Sequence, residues 1–252
     1  MGLSLFDWHK RFAQQAGWTH GLRIYLYDHA GMQSAKRVLD LGCGTGVLAK
    51  EILGQYPAEV HCLDLERIYL KLAAGHAPGA RPVQADAHHL PYASGVFDIS
   101  LCHYVLLWLT DPLEAVKEMA RVTRLGGYVL AIAEPDYGGR IDHPDELVQL
   151  GKWQQEALRG QGADPLMGRR LSGIFTQAGL EVLESGVIAG QWKTNSSPEG
   201  RESEWAVLND DLKAILPKET LERYRRINDA AWDRGDRVLF VPTFYTWGRK
   251  SN

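Results

Sequence analysis

Cysteine is scarce in this 252-residue chain, and long apolar runs are missing. The cysteines are odd in number, and each lies in or beside an apolar stretch: Cys43, Cys62 and Cys102. This pattern predicts free thiols rather than a disulfide framework, and it favours a reducing compartment. No window approaches the roughly 18 uninterrupted apolar residues of a membrane span, and residues 1–10 do not resemble a secretory signal. We therefore expect a cytoplasmic protein without a membrane partner.

Clustered positive charge is also missing. The 28 Lys and Arg residues stand against 31 Asp and Glu residues, and the formal net charge is -3. Phosphate backbones are bound by clustered basic side chains, but the nearest basic run, residues 223–226, is interrupted by Tyr224. We therefore expect no nucleic-acid partner.

Histidines at the spacing of metal ligands are missing as well. His88 and His89 are adjacent, so their side chains point to different sides of an extended chain. His143 has no ligand-type partner at a suitable distance along the sequence. We therefore expect no metal site.

The sequence does contain a regular alternation of short β-rich runs and helical stretches, which is typical of a parallel sheet with crossover helices. Strands are predicted over residues 37–41, 59–63, 82–85, 97–103, 128–133, 181–189 and 238–247. Helices are predicted over residues 46–53, 65–74, 144–159, 171–178 and 203–233, the last broken near Pro217. A further helix starts at Pro112, with Asp111 as its cap, and is expected to stop at Gly126-Gly127.

This order of elements predicts an α/β fold. We expect a Rossmann-like, doubly wound, mostly parallel seven-stranded sheet with helices on both faces and a helical insertion before the last strand. Residues 1–252 are predicted to form a single domain, with a helical N-terminal segment over 1–35 and a ligand-binding core over 36–135. Helical insertions are predicted over 136–170 and 195–235. The second is too long to be a simple connector, so it either covers the active site or forms a subunit contact, as in a homodimer.

Three glycines follow the first predicted strand at every second position: Gly42, Gly44 and Gly46. Glycines at the carboxyl end of a strand let the backbone come close to a ligand. Nicotinamide and flavin sites need a different spacing, G-x-G-x-x-G, with the pyrophosphate at the helix N-terminus. Asp40 ends the strand just before the glycines, and its carboxylate would repel a pyrophosphate but attract a cationic amino-acid group. The loop, which also contains Cys43 and Thr45, therefore predicts a site for a cationic ligand.

Two further acids follow the next two predicted strands. Asp64 ends the second strand, where a carboxylate can accept hydrogen bonds from both hydroxyls of a ribose. The alternative is that Asp64 caps the next helix. Asp86 follows the third strand, where it can accept from an adenine amino group; the alternative is an ordinary turn acid.

Residues 36–135 resemble the class I S-adenosylmethionine-dependent methyltransferases, within the small-molecule group that includes the ubiquinone/menaquinone C-methyltransferases. The resemblance is carried by residues 38–46, Asp64, residues 85–92, residues 97–99 and Gly126-Gly127. It implies S-adenosyl-L-methionine as the cofactor. It also implies a cofactor site that includes, besides the loop and Asp64, Leu65, Asp86, Ala87, Cys102 and His103. This chain has Leu107-Trp108 where family members often have His-His, so no acceptor role or base is carried over from that pair.

Methyl transfer from a sulfonium is an in-line displacement and needs no acid, so the absence of a catalytic dyad does not argue against an enzyme. We expect the acceptor to be a small molecule. His103 is the candidate general base, and a wall residue is the alternative. The candidate substrate-binding residues are His20, Tyr25, Trp108, Asp136 and Tyr137. We interpret most other aromatic residues of the N-terminal segment as core.

Three readings remain open for the whole chain. Small-molecule methyl transfer is the leading one. A cofactor-binding protein without catalysis is the second, and the intact loop with its three acids argues against lost function. A nicotinamide-dependent oxidoreductase is the third, and both the glycine spacing and Asp40 disfavour it.

Overall fold

The computed structural model describes residues 3–188 and 198–251. The strands are β1 (Arg37–Leu41), β2 (Glu59–Asp64), β3 (Arg81–Gln84), β4 (Phe97–Cys102), β5 (Thr123–Pro135), β6 (Ile141–His143), β7 (Glu181–Ile188), β8 (Val238–Phe240) and β9 (Thr243–Arg249). The helices are α1 (Leu5–His29), α2 (Val47–Gln55), α3 (Arg67–His76), α4 (Pro112–Val122), α5 (Val148–Gly160), α6 (Leu171–Gln177), α7 (Pro198–Leu212) and α8 (Lys218–Arg234).

The main sheet has seven strands in the order β3-β2-β1-β4-β5-β9-β7. β1 pairs in parallel with β2 and β4, β2 with β3, and β4 with β5. β9 runs antiparallel to both of its neighbours, β5 and β7. The predicted fold class, a mostly parallel seven-stranded α/β sheet, is confirmed.

Helices cover both faces of this sheet because side chains alternate along each strand. In β1, Val38 belongs to a buried cluster with Leu26 of α1 and Ile52 of α2. Its neighbour Leu39 belongs to the cluster on the opposite face, with Met119 of α4 and residues of α6. The strands are therefore buried on both sides, as parallel strands usually are.

The insertion has a small core of its own. α5, α7 and α8 bury Leu150, Trp205, Leu208 and Ala231 against one another. α7 and α8 are separated near Pro217, as predicted. Residues 195–197 of the predicted second insertion lie outside the described residues, and so does position 189, the last residue of the predicted strand over 181–189.

Several predicted boundaries are wrong. Residues 238–247 form two strands, because Pro242 lies between them and β8 pairs with the unpredicted β6 in a separate two-stranded sheet. α4 ends at Val122 rather than at Gly126-Gly127, because Thr123 already pairs with Phe97 in the main sheet. Residues 144–147 precede α5 instead of beginning it.

Candidate functional site

The carboxyl ends of β1, β2, β4 and β5 meet at one edge of the sheet. A cavity of about 1690 Å³ opens at this edge and is lined by Asp40, Gly42, Gly44 and Asp64. It continues between α1 and the insertion, which contributes Trp205 among other residues. Pockets for a single ligand typically measure about 300–1,000 Å³, so this cavity has room for two.

The glycine loop turns sharply between β1 and α2. Gly42 and Gly44 both have positive φ, +65° and +51°, which a side chain would strain. A Cβ on Gly42 would overlap the Val105 side chain, and one on Gly44 would come within 3.0 Å of the Phe12 ring. The sequence predicts that these glycines make room for a ligand; the structure shows that they make room for the side chains of Val105 and Phe12.

Asp40 is 2% exposed, and its Oδ2 atom has no hydrogen-bond partner in the described structure. Burial, with the charge of Asp64 next, raises the pKa of Asp40 to about 7. A buried carboxylate oxygen without a partner is costly, and a cationic ligand would satisfy it. This geometry agrees with the cationic ligand predicted from the sequence.

Asp64 lies at the end of β2 and binds the loop directly. Its Oδ2 accepts from the backbone N–H of Gly44 at 2.9 Å, and its Oδ1 accepts from the N–H of Glu66 at 2.9 Å. The residue at the N-cap of α3 is Glu66, so the alternative role of Asp64 as the helix cap is not observed. Its neighbour Leu65 is 62% exposed and lines the same cavity.

Asp86 lies on the cavity wall after β3, together with Ala87. Its Oδ1 accepts from the backbone N–H of His88 at 2.9 Å and lies 2.6 Å from the ring Nδ1. These bonds lower the pKa of Asp86, so it remains an ionised acceptor at neutral pH.

His103 follows β4 and lines the cavity. Its Nε2 lies 2.9 Å from Thr19 Oγ1, which in turn accepts from Arg23 Nη1 at 2.5 Å. Glu51 holds the Arg23 guanidinium through two hydrogen bonds. Burial, together with the Arg23 charge, lowers the pKa of His103 to about 3. The ring is therefore neutral at physiological pH and only a weak base.

Three predicted cofactor residues do not line the cavity. Thr45 is buried behind the loop, where its Oγ1 lies 2.7 Å from His9 Nδ1. Gly46 faces Ala73 of α3, and Cys102 is fully buried in the core. The end of a strand alternates in direction, so His103 faces the cavity and its neighbour Cys102 faces the helices.

The predicted substrate residues divide in the same way. Trp108 and Tyr137 line the cavity. The other three do not: His20 is exposed and 3.5 Å from Glu51, Tyr25 donates to Glu184 at 2.7 Å, and the buried carboxylate of Asp136 pairs with the half-exposed Arg169. The interpretation of the remaining N-terminal aromatic residues as core is also wrong in part, because three of them line the cavity: Trp8, Phe12 and Trp18.

The helical period explains this error. Residues at positions i and i+4 share a face of a helix, and Trp8, Phe12 and Thr19 lie within the face that α1 turns to the cavity. His20 lies outside that face. Tyr25 shares a stripe of the helix with Trp18 but lies about two turns farther along, where it contacts Glu184 of β7 instead of the cavity. Closeness to the glycine loop in sequence was therefore a poor guide to the residues that line the cavity.

Sequence reasoning missed a buried acid and a buried pair of arginines. Glu134 of β5 is fully buried and accepts from the backbone N–H groups of three consecutive residues, 105–107. Arg140 and Arg237 line the far end of the cavity and share the carboxylate of Asp142. No local pattern marks these residues, since their partners are distant in sequence.

No cluster of three or more metal-ligating side chains occurs among residues 3–188 and 198–251. Within the same residues, no helix is long and apolar enough to cross a membrane. The three cysteines are buried and unpaired.

Residues 39–131 match a family model described as "Methyltransferase domain". The chain is 39% identical over 99 residues to a malonyl-[acyl-carrier protein] O-methyltransferase from Halorhodospira halophila, covering 38% of this chain and 34% of that protein. It is 33% identical over 118 residues to a demethylmenaquinone methyltransferase from Paenarthrobacter aurescens, covering 47% and 46%. The chain thus spans half or less of the length of these curated relatives.

Solved structures resemble the chain over most of its length. The YcgJ protein from Bacillus subtilis has a TM-score of 0.61 at 20% identity and covers 93% of this chain and 98% of its own. A geranyl diphosphate methyltransferase, solved with GPP and sinefungin, has a TM-score of 0.60 at 13% identity and covers 92% and 78%. Residues 39–131 therefore match a methyltransferase domain, and the chain shares the α/β fold of these solved structures.

Proposed function

We propose that the chain transfers a methyl group from S-adenosyl-L-methionine to a small-molecule acceptor. One observation carries the proposal: a single cavity joins the glycine loop with its three acids to a chamber under the insertion. In-line displacement requires donor and acceptor to lie in contact, and one continuous cavity allows this. The demethylmenaquinone methyltransferase and the geranyl diphosphate methyltransferase are both named for small-molecule acceptors, which supports this proposal.

The side chains at the sheet edge fit the proposed donor. Asp40 Oδ2, buried and without a partner in the described structure, suits the ammonium of the methionine group. Asp64 suits the ribose hydroxyls, and Asp86 suits the adenine amino group. When bound, S-adenosyl-L-methionine supplies an electrophilic methyl group on a sulfonium.

The chain's own residues orient the acceptor and exclude water. His103 is neutral and held by Thr19, so its contribution is a hydrogen bond that orients the acceptor more than proton removal. The aromatic side chains Trp8, Trp108 and Tyr137 provide apolar walls for the acceptor. An acceptor that ionises readily needs no stronger base.

We propose that α7 belongs to a lid over the cavity. Two polar contacts join it to α1: Arg11 to Glu204 at 3.0 Å, and Ser203 to Gln14 at 2.9 Å. Amide hydrogen exchange in α7 should slow when S-adenosylhomocysteine is added together with an acceptor, while exchange in α4, away from the lid, stays unchanged. Equal exchange in α7 with and without these ligands would contradict the lid.

Calorimetric titration with S-adenosylmethionine, S-adenosylhomocysteine and NAD tests the donor. We expect binding of the first two, and binding of NAD alone would overturn the proposal. Transfer of a radiolabelled methyl group to small molecules in a cell extract tests the reaction. Binding of S-adenosylmethionine with no transfer to any extract component would favour a non-catalytic binding protein.

A further inference from the structure

Two buried guanidinium groups converge on one carboxylate at the end of the cavity under the insertion. Asp142 of β6 accepts from Arg140 Nε at 2.6 Å and from Arg140 Nη2 at 3.0 Å. The same carboxylate accepts from Arg237 Nη2 at 2.8 Å. The side chains of Arg140, Asp142 and Arg237 are 4%, 3% and 1% exposed. We call these three residues the arginine cluster.

The charges of the arginine cluster do not balance. Two cations share one anion, and burying an ion is costly unless it is paired. Burial lowers the pKa of Arg237 despite the attraction of Asp142, and the neighbouring charge of Arg140 lowers it further, while Glu204 opposes this effect. The cluster is therefore a site where a further negative charge would be favourable.

Asp211, another acid that lines the cavity, has no hydrogen bond to either arginine in the described structure. Asp211 of α7 reaches the cluster only through Gln154, whose amide donates to Asp211 at 2.7 Å and accepts from Arg140. Burial raises the pKa of Asp211, and hydrogen bonds from Gln154 and Gln161 oppose that rise. Arg11, which also lines the cavity, is already paired with Glu204 at 3.0 Å.

Some N–H groups of the arginine cluster have no hydrogen-bond acceptor in the described part of the chain. Within the described part of the chain, Asp142 and Gln154 take three of the five N–H groups of Arg140. Asp142, Asn228 and two backbone carbonyl oxygens take four of the five N–H groups of Arg237. Both arginines line the cavity, so an anionic group bound at this end would lie beside them.

We propose that the arginine cluster is an anion subsite that binds a carboxylate or phosphate group on the methyl acceptor. This inference rests on the proposed methyl transfer, because it assigns the acceptor to the chamber under the insertion. Guanidinium groups are well suited to both anions, since their N–H groups match two oxygen atoms at once. The acceptor class is then an apolar or aromatic molecule with one acidic group, the apolar part lying against Tyr137 and Trp205.

Matched aromatic probes test the subsite on the unaltered protein. 2-Naphthoate, 2-naphthyl phosphate and uncharged 2-naphthamide share one ring system and differ in charge. By calorimetry we expect at least one acidic probe to bind roughly ten-fold tighter than the amide or more, the scale of one hydrogen bond to a charged group. Which acid binds better distinguishes a carboxylate from a phosphate. Equal binding of all three probes would overturn the subsite. The absence of binding of either acidic probe at about 10 mM would also overturn it.

Variants locate the preference. Arg140→Gln should reduce the ratio between acidic and uncharged probe to near one, and Arg140→Lys, which keeps the charge, should retain part of it. Arg81→Gln removes an exposed guanidinium that does not line the cavity and should leave the ratio unchanged. If both Arg140 variants keep the full preference, the anion lies elsewhere. Arg140→Lys keeps the test decisive if Arg140→Gln does not fold.

The same titrations separate this inference from the proposed function. Each probe is measured with and without S-adenosylhomocysteine, whose own binding is recorded in the same experiment. Tight S-adenosylhomocysteine binding without a preference for acidic probes refutes the subsite alone. A preference for acidic probes without S-adenosylhomocysteine binding refutes the methyl-transfer proposal and supports the anion subsite.

Discussion

Replacing Glu134 by glutamine tests whether burial of this acid makes the stability of the protein depend on pH. The Oε1 atom of Glu134 accepts from the backbone N–H groups of Val105 and Leu106 at 2.9 and 2.8 Å. Its Oε2 accepts from the N–H of Leu107 at 3.1 Å. Burial nevertheless raises the pKa of Glu134 from 4.5 to about 7, and the three backbone N–H groups oppose that rise.

The direction of the pH effect follows from this pKa. Between the unfolded value and about 7, the folded protein binds more protons at Glu134 than the unfolded chain does. The stability that Glu134 contributes is therefore fully present below pH 4.5 and is lost as the pH rises through about 7. The difference of about 2.5 pH units is worth roughly 3 kcal/mol, of which about 2–3 kcal/mol lies between pH 5 and pH 8.

Urea unfolding at a series of pH values measures this effect. Glutamine does not titrate, so the unfolding free energy of the wild type minus that of Glu134→Gln should fall by about 2–3 kcal/mol from pH 5 to pH 8. Asp40 is present in both proteins and cancels. Glu222→Gln, at an exposed position of α8, should show a flat difference. A flat difference for Glu134→Gln as well, or one that rises with pH, would refute the reasoning.

Three further substitutions test the site and the insertion. Asp64→Asn should weaken S-adenosylmethionine binding by about 1–3 kcal/mol in calorimetry, because a charged acceptor is lost; unchanged affinity would remove this residue from the site. Gly44→Ala should lower the same affinity about ten-fold or more, because alanine is strained at positive φ and its Cβ would press against the Phe12 ring. Gly54→Ala, where a Cβ has open space, should leave the affinity unchanged. Gly151→Ala places a Cβ 2.7 Å from a carboxylate oxygen of the arginine cluster and should cost about 1–3 kcal/mol in urea unfolding. Gly160→Ala on the same helix meets nothing and should stabilise or leave stability unchanged, and equal effects of the two would contradict the packing argument.

The features that sequence predicted best depend on neighbours in the chain. α4 begins where expected because Asp111 caps the N–H of Glu114 and Pro112 suits the first turn. Asp40 and the glycine loop lie together because they are consecutive. The Asp64 carboxylate reaches Gly44 because parallel strands bring their carboxyl ends to one edge.

The features that it missed depend on contacts between distant residues. Thr19 meets His103 across 84 positions, and Arg237 meets Asp142 across 95. The predicted strand over 238–247 is mostly apolar; Pro242 marks the break in it, but nothing local shows that β8 would leave the main sheet for β6. His20 and Tyr25 were assigned to the site by closeness in sequence, but His20 lies on another face of α1 and Tyr25 contacts Glu184 of β7.

The sequence by itself determined the α/β class, the strand ends that meet at the site and the acids of the candidate donor site. These depend on hydrophobic periodicity and on short motifs, which are local properties of the chain. Only the tertiary structure decided which face of α1 lines the cavity, that burial raises the pKa of Glu134, and that two arginines share one carboxylate. Burial and charge balance arise when distant segments pack together, so no single segment of the sequence contains them.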